Sequence, residues 1–234
     1  MLNKEFNWRI RRTFFHSLLP ILLVLNTALF QSCAPSLLVK PLKKGEQGVS
    51  AHLGGPLIRF AGTPIPVPLS GLEYHYGWKD KLSLSGGLGL TSLAFGTFQL
   101  SAGGIYQIKD ETGLLKTGVS ALLKGHFLLD RWEKIFRFYP EAGMHFYRQF
   151  GKHNLYAGGS AWFETQYGGR KRSSRNLWVP MLHAGWQKAE GKWRPSVEIK
   201  WIAPGQDSGN LVVDYIGPAS RGSMGLYFGI SRLF

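Results

Sequence analysis

The chain has a single cysteine in 234 residues, so no internal disulfide can brace it. Acidic residues are scarce, 14 against 28 lysines and arginines, and all charged residues together reach only 18%. A mean hydropathy of −0.09 is too low for a bundle of membrane helices. Disorder throughout is excluded as well, because 44% of the chain is hydrophobic and 14% aromatic. What is plentiful is glycine, with 30 residues. A glycine-rich, aromatic-rich and charge-poor chain matches β-architectures that live in membranes.

The N-terminus reads as a processing segment. Lys4, Arg9, Arg11 and Arg12 form a positive region, Phe14 to Phe30 is mostly apolar, and Ser32 precedes Cys33. Pro20 and Asn26 interrupt a run already short for a spanning helix, so the expectation is a signal peptide over residues 1–32. Taking off the net +3 of that segment (four bases against Glu5) from the total of +14 leaves a mature charge of +11. Such a balance suits anionic lipid headgroups and lipopolysaccharide phosphates; nucleic acid is not expected as a partner. Residues 33–46, with Pro35, Pro41, Lys40, Lys43 and Lys44, read as a short tether.

The stretch Leu29-Phe30-Gln31-Ser32-Cys33 resembles the lipobox of bacterial lipoproteins in its relaxed Bacteroidota-type form, departing from the strict pattern at Phe30 and Gln31. The resemblance implies cleavage before Cys33 and lipidation of its thiol, which accounts for the lone cysteine. No acidic cluster resembling a surface-export signal follows it. The lipid is therefore expected in the inner, periplasmic leaflet of the outer membrane. Arg11-Arg12-Thr13-Phe14-Phe15 is only weakly similar to a twin-arginine signal, a route for folded cargo.

From residue 47 the dominant period is two. Leu82, Leu84, Leu88 and Leu90 share one face while Ser83, Ser85, Gly87 and Gly89 share the other. The pattern recurs in Phe98 to Ile108 and in Met224 to Phe234. Ten strands are predicted, at 47–58, 69–77, 81–92, 97–108, 115–129, 136–149, 154–165, 177–188, 192–203 and 219–234. The links between them mostly alternate between tight turns and longer loops such as 59–68, 166–176 and 205–218. Short turns on one rim and long loops on the other predict an all-β, antiparallel, up-and-down transmembrane β-barrel over residues 47–234.

The alternative is a water-soluble cup with its apolar side chains inside. The polar face decides against it, since it is rich in glycine, serine and threonine instead of the lysine and glutamate of a wetted exterior. Aromatics bracket the apolar face, with Tyr76, Tyr106, Trp186, Trp193 and Phe234 near the short turns and Phe98, Phe127, Phe136, Phe163, Trp178 and Trp201 near the long loops. Met224 to Phe234, ending on an aromatic with Ile230, Phe228 and Leu226 behind it, resembles the C-terminal signal of outer-membrane barrels; Arg232 stands where an apolar residue is usual.

The inward face carries Glu73, His75, Lys124, His126, Arg137, Glu141, His145, Glu164, Arg194, Glu198 and Lys200. Both signs are present, and ions in a narrow lumen must pair. A salt-bridge network filling the lumen is the main expectation. A barrel hydrolase is the alternative, with Glu73 and His75, or Glu141 and His145, as base and orienter and Ser70 or Ser160 as nucleophile. Neither G-x-S-x-G nor H-E-x-x-H occurs, scattered histidines predict no metal site, and no cofactor is implied. Arg170, Lys171, Arg172 and Arg175 form a basic loop suited to lipopolysaccharide phosphates. The functional expectation is a lipid-anchored accessory or structural subunit of an outer-membrane assembly. A lipid-modifying barrel enzyme and a narrow solute channel are the alternatives.

Overall fold

The computed structural model describes residues 35–111, 116–132, 134–163, 165, 178–208 and 214–234. The expected signal segment, Cys33, Glu164 and the basic loop with Arg170, Lys171, Arg172 and Arg175 lie outside the described residues. Eleven strands follow in chain order: β1 Gln47–Phe60, β2 Thr63–Pro66, β3 Leu69–Lys79, β4 Leu82–Gly89, β5 Thr97–Lys109, β6 Gly118–Asp130, β7 Phe136–Phe150, β8 His153–Phe163, β9 Trp178–Lys188, β10 Trp193–Asp207 and β11 Arg221–Leu233. One helical turn, α1 Leu90–Ala94, links β4 to β5.

Ten of the strands form a closed antiparallel ring, and among the described residues β2 pairs only with the outer end of β1. Closure comes from β11 against β1, in register from Gly48 opposite Leu233 to Pro56 opposite Gly225. Phe234 adds a hydrogen bond from its N–H to the Gln47 carbonyl, 2.9 Å, so the ring is sealed where the barrel starts and ends. An even number of strands does this because each crossing reverses direction.

Accessibility alternates with the pleat. In β3, Glu73 and His75 are buried while Leu72, Tyr74 and Tyr76 are 42%, 46% and 37% exposed. Most large aliphatic side chains of the ring stand outside, while Glu73, His75, His126, Glu141, His145, Glu198 and Lys200 stand inside. In water that arrangement would forfeit the hydrophobic gain of folding; in hydrocarbon it is the stable one. The fold is a ten-stranded transmembrane β-barrel. At the short-turn rim Arg232 lies over the Trp193 and Phe234 rings, 5.4 and 5.2 Å from their centroids, and Arg148 over Phe150 at 4.7 Å. Both arginines take lipid-facing positions at strand ends, where a long side chain reaches the headgroups.

Two local features depart from the predicted strands. The strand expected over 81–92 stops at Gly89, and residues 90–94 coil into α1, with Ser70 N–H and hydroxyl both meeting the Thr91 hydroxyl at 2.8 Å. The stretch 59–68, expected as a longer loop, forms a hairpin in which Phe60 turns through Ala61 and Gly62 into β2. Pro64 and Pro66 lie on β2, whose far side pairs with no strand among the described residues. The other side of the β1 extension is tied to residues 214–216 by Arg59 N–H to Asp214 and Ile216 N–H to Leu57.

The lumen is narrow because glycines face the large inward side chains of neighbouring strands. A Cβ on Gly185 would stand 2.5 Å from the Tyr156 ring, and one on Gly158 would stand 2.7 Å from the His183 imidazole. Rings come close to strand backbone there.

Candidate functional site

Three layers fill the lumen. Toward the long loops Leu128, Tyr139, Trp162 and Met181 pack together inside the ring, with Val179 and Ile202 against them. The middle is ionic. At the short-turn mouth Val39 packs with Tyr147 and Tyr156.

That last layer corrects the sequence reading. Residues 35–43, expected as a tether outside the barrel, run through its floor, with Leu37, Val39 and Leu42 at 3%, 1% and 3% exposure. Their apolar side chains explain why: a tether in water gains nothing from three buried aliphatic groups, whereas the lumen floor offers two tyrosine rings. Several of their main-chain groups find partners. Ser36 N–H donates to both Glu198 oxygens at 3.1 and 3.0 Å, and Gln187 Nε2 donates to the Leu37 carbonyl at 3.1 Å. Ser120 Oγ donates to the Val39 carbonyl at 2.7 Å, and Leu42 N–H donates to Ser83 Oγ at 2.7 Å. Lys40 leaves the lumen to pair with Glu111 at 2.6 Å, and Gly45 N–H reaches the Gly77 carbonyl at 2.8 Å. This strap therefore rises from the rim at Gly45 to a point well inside the barrel at Ser36.

In the ionic layer, Lys124 on β6 meets Glu73 on β3 at 2.7 Å, and Ser85 also reaches that carboxylate. His75 Nδ1 stands 3.8 Å from Glu73, and its Nε2 lies 2.8 Å from Ser50 Oγ. Ser50 in turn donates to Ser231 Oγ at 2.7 Å. Glu141 takes His126 Nε2 at 2.8 Å and Ser160, while His126 stacks on Trp162 with centroids 4.1 Å apart. His145 Nδ1 and His183 Nε2 are 2.9 Å apart. Glu198 collects Tyr156 OH at 3.0 Å, Lys200 at 3.5 Å and the strap.

Of the two nominated pairs, Glu73 with His75 and Glu141 with His145, the first is brought together. Glu73 and His75 do share an edge, and their third member is Ser50, which sequence reasoning missed. Ser70 has the opposite parity in β3 and faces away from both, held by Thr91 at the long-loop rim. Glu141 and His145 do not pair: residues four apart on one strand stand about 13 Å apart, whereas cross-strand neighbours are about 5 Å apart. Ser160 does reach Glu141, but the imidazole on that carboxylate is His126. The signal for Ser50 was register, since it sits opposite Glu73 and Ser231 in the paired strands. His183 and His52 are inward histidines that the sequence reading passed over, and parity with Met181 and with Ser50 would have found them.

Ser50, His75 and Glu73 have the residue types of a hydrolase triad without its working geometry. The Ser50 hydroxyl donates to Ser231 Oγ, which leaves no Ser50 hydrogen directed at His75 Nε2 for a general base to take. Ser50 is 0% and His75 1% exposed, which closes the hydroxyl to any substrate. Among the described residues no cluster of three or more histidine, cysteine or acidic side chains could hold a metal ion.

No protein-family model matches the chain, and no curated protein matches it. Solved structures of similar fold include the NanC porin, with TM-score 0.42 and 8% identity over 80% of this chain and 98% of that one. The translocator domain of the autotransporter NalP from Neisseria meningitidis gives 0.47 and 9% over 84% and 91%. OccAB4 of Acinetobacter baumannii gives 0.34 and 8% over 77% of this chain and 56% of its own.

Proposed function

We propose that the protein is a lipid-anchored barrel of the bacterial outer membrane whose role is structural, as an accessory subunit of an outer-membrane assembly. Cys33 carries the lipid, in the periplasmic leaflet, and residues 1–32 are the signal peptide. The observation that carries the reading is the middle layer of the lumen. Its carboxylates are matched by Lys124, Lys200 and His126, and its residues Ser50, His75, Glu198 and Tyr227 have at most 1% accessible surface. An open pore wets the side chains along its wall, and an enzyme leaves its nucleophile within reach. Neither condition describes this layer. What remains for the molecule to offer is its outer surface and its two rims.

The test is affinity purification of the tagged full chain from detergent-solubilised outer membrane. Stoichiometric partners are the expected result, and a chain that purifies alone overturns the subunit reading. Planar-bilayer recording checks the channel alternative; silence is expected, and resolved unitary currents would favour a conduit.

A further inference from the structure

The strap is held in an unusual way. Four main-chain groups of the strap bond to inward side chains: Ser36 N–H, Leu37 C=O, Val39 C=O and Leu42 N–H. The partners Glu198, Gln187, Ser120 and Ser83 come from β10, β9, β6 and β4, and all four are buried. Bonds to main chain do not depend on which residue supplies them; side chains are asked only to be apolar at 37, 39 and 42. This is how a groove recognises an extended peptide.

Reach sets when the strap can be there. Cys33 precedes Ser36 by three residues, which an extended chain covers in about 11 Å. Glu198 lies five residues inside β10 from its short-turn end at Trp193. At about 3.3 Å per residue and a tilt of about 40°, that places it roughly 13 Å inside the mouth. A chain leaving the lumen must also pass round the rim and across the thickness of the wall. The other mouth is farther, nine residues along β10 at Asp207. With Ser36 on Glu198, the Cys33 sulfur cannot lie in the bilayer.

We infer that the lumen floor is a binding site for an extended apolar peptide, occupied by residues 36–42 only while Cys33 is free of the membrane. Anchoring of the lipidated cysteine withdraws the strap, and the floor opens from the short-turn side to a segment of the same chemistry. The middle layer still seals the barrel above it. The inference rests on lipidation of Cys33, and the test separates the two.

Val39→Cys is placed in the acylated full chain, where the lipid thioether blocks Cys33, and in the full-length Cys33→Ser chain, so that each carries one free thiol. Labelled palmitate on the same band reports acylation. The introduced thiol should resist a polar maleimide in the Cys33→Ser chain and react in the acylated chain as it does after denaturation. Protection in both overturns the inference, and so does reaction in both; Leu42→Cys supplies the same readout should the first variant misfold. A band without palmitate refutes the anchoring itself, and the inference with it. Ser120→Cys in the acylated chain should react and be shielded by a synthetic peptide of residues 35–44; failure of that peptide to shield it overturns the peptide site.

Discussion

The Lys124 ammonium lies 2.7 Å from the Glu73 carboxylate although three strand boundaries separate β6 from β3 around the ring. The contact therefore spans a chord of the lumen. Gly87 and Gly103, on the two intervening strands, leave it room: a Cβ on Gly87 would meet Ser101, and one on Gly103 would meet Lys124 itself. Lys124→Met leaves Glu73 a buried charge without its nearest cation, an expected loss of about 3–5 kcal/mol. Lys124→Met with Glu73→Leu should recover most of that. Urea unfolding in detergent, followed by tryptophan fluorescence, measures both, and a single variant as stable as the double would remove the pair from the account of stability.

Leu182 and Phe234 separate the two depths of the outer face. Leu182 is 52% exposed in the middle of β9, whereas Phe234 stands at the short-turn rim. Leu182→Arg should cost about 2–4 kcal/mol for folding into vesicles, and Phe234→Arg about 0–1. Equal penalties at the two sites would mean that the hydrocarbon does not lie where the apolar belt puts it.

Gly77 bears on the strap. Its missing side chain leaves room for the Lys43 carbonyl, which a Cβ would strike. Gly77→Ala in the Cys33→Ser chain should lift the strap from the rim inward, read as new proteinase K cleavage between residues 36 and 42. Unchanged resistance would show that the strap is held from its deep end, at Glu198.

Cys33→Ser should abolish palmitate incorporation while the barrel still sediments with the outer membrane and keeps its heat-dependent mobility in electrophoresis. The ten-stranded ring has its own lipid-facing belt and does not need the acyl chain to stay. Release into the periplasmic fraction would contradict the membrane-spanning reading of the belt.

Most of the ring was legible in the sequence because a period of two leaves its mark on each strand. Leu82, Leu84 and Leu88 against Ser83 and Ser85 announce a β4 with one greasy and one small face, whatever its neighbours. The last residues of that run were read wrongly, since Leu90 keeps the apolar pattern while the chain coils into α1. Partners across strands were harder. His126 with Glu141 depends on the offset between β6 and β7, a quantity that alternation does not encode. The strap was hidden for a different reason: Leu37, Val39 and Leu42 sit among prolines and lysines that look solvated, and their burial depends on a lumen built from strands far along the chain.

That distance has a kinetic consequence. The Ser36 to Glu198 contact joins positions 162 apart, and the floor that receives Leu37 includes Gly229 of the closing strand. Contacts of such separation form late, because the intervening loop must first be closed. A segment near the start of the barrel's sequence is thus the part that settles last: until β11 has zipped onto β1, the floor that residues 36–42 occupy does not exist and they stay unfolded.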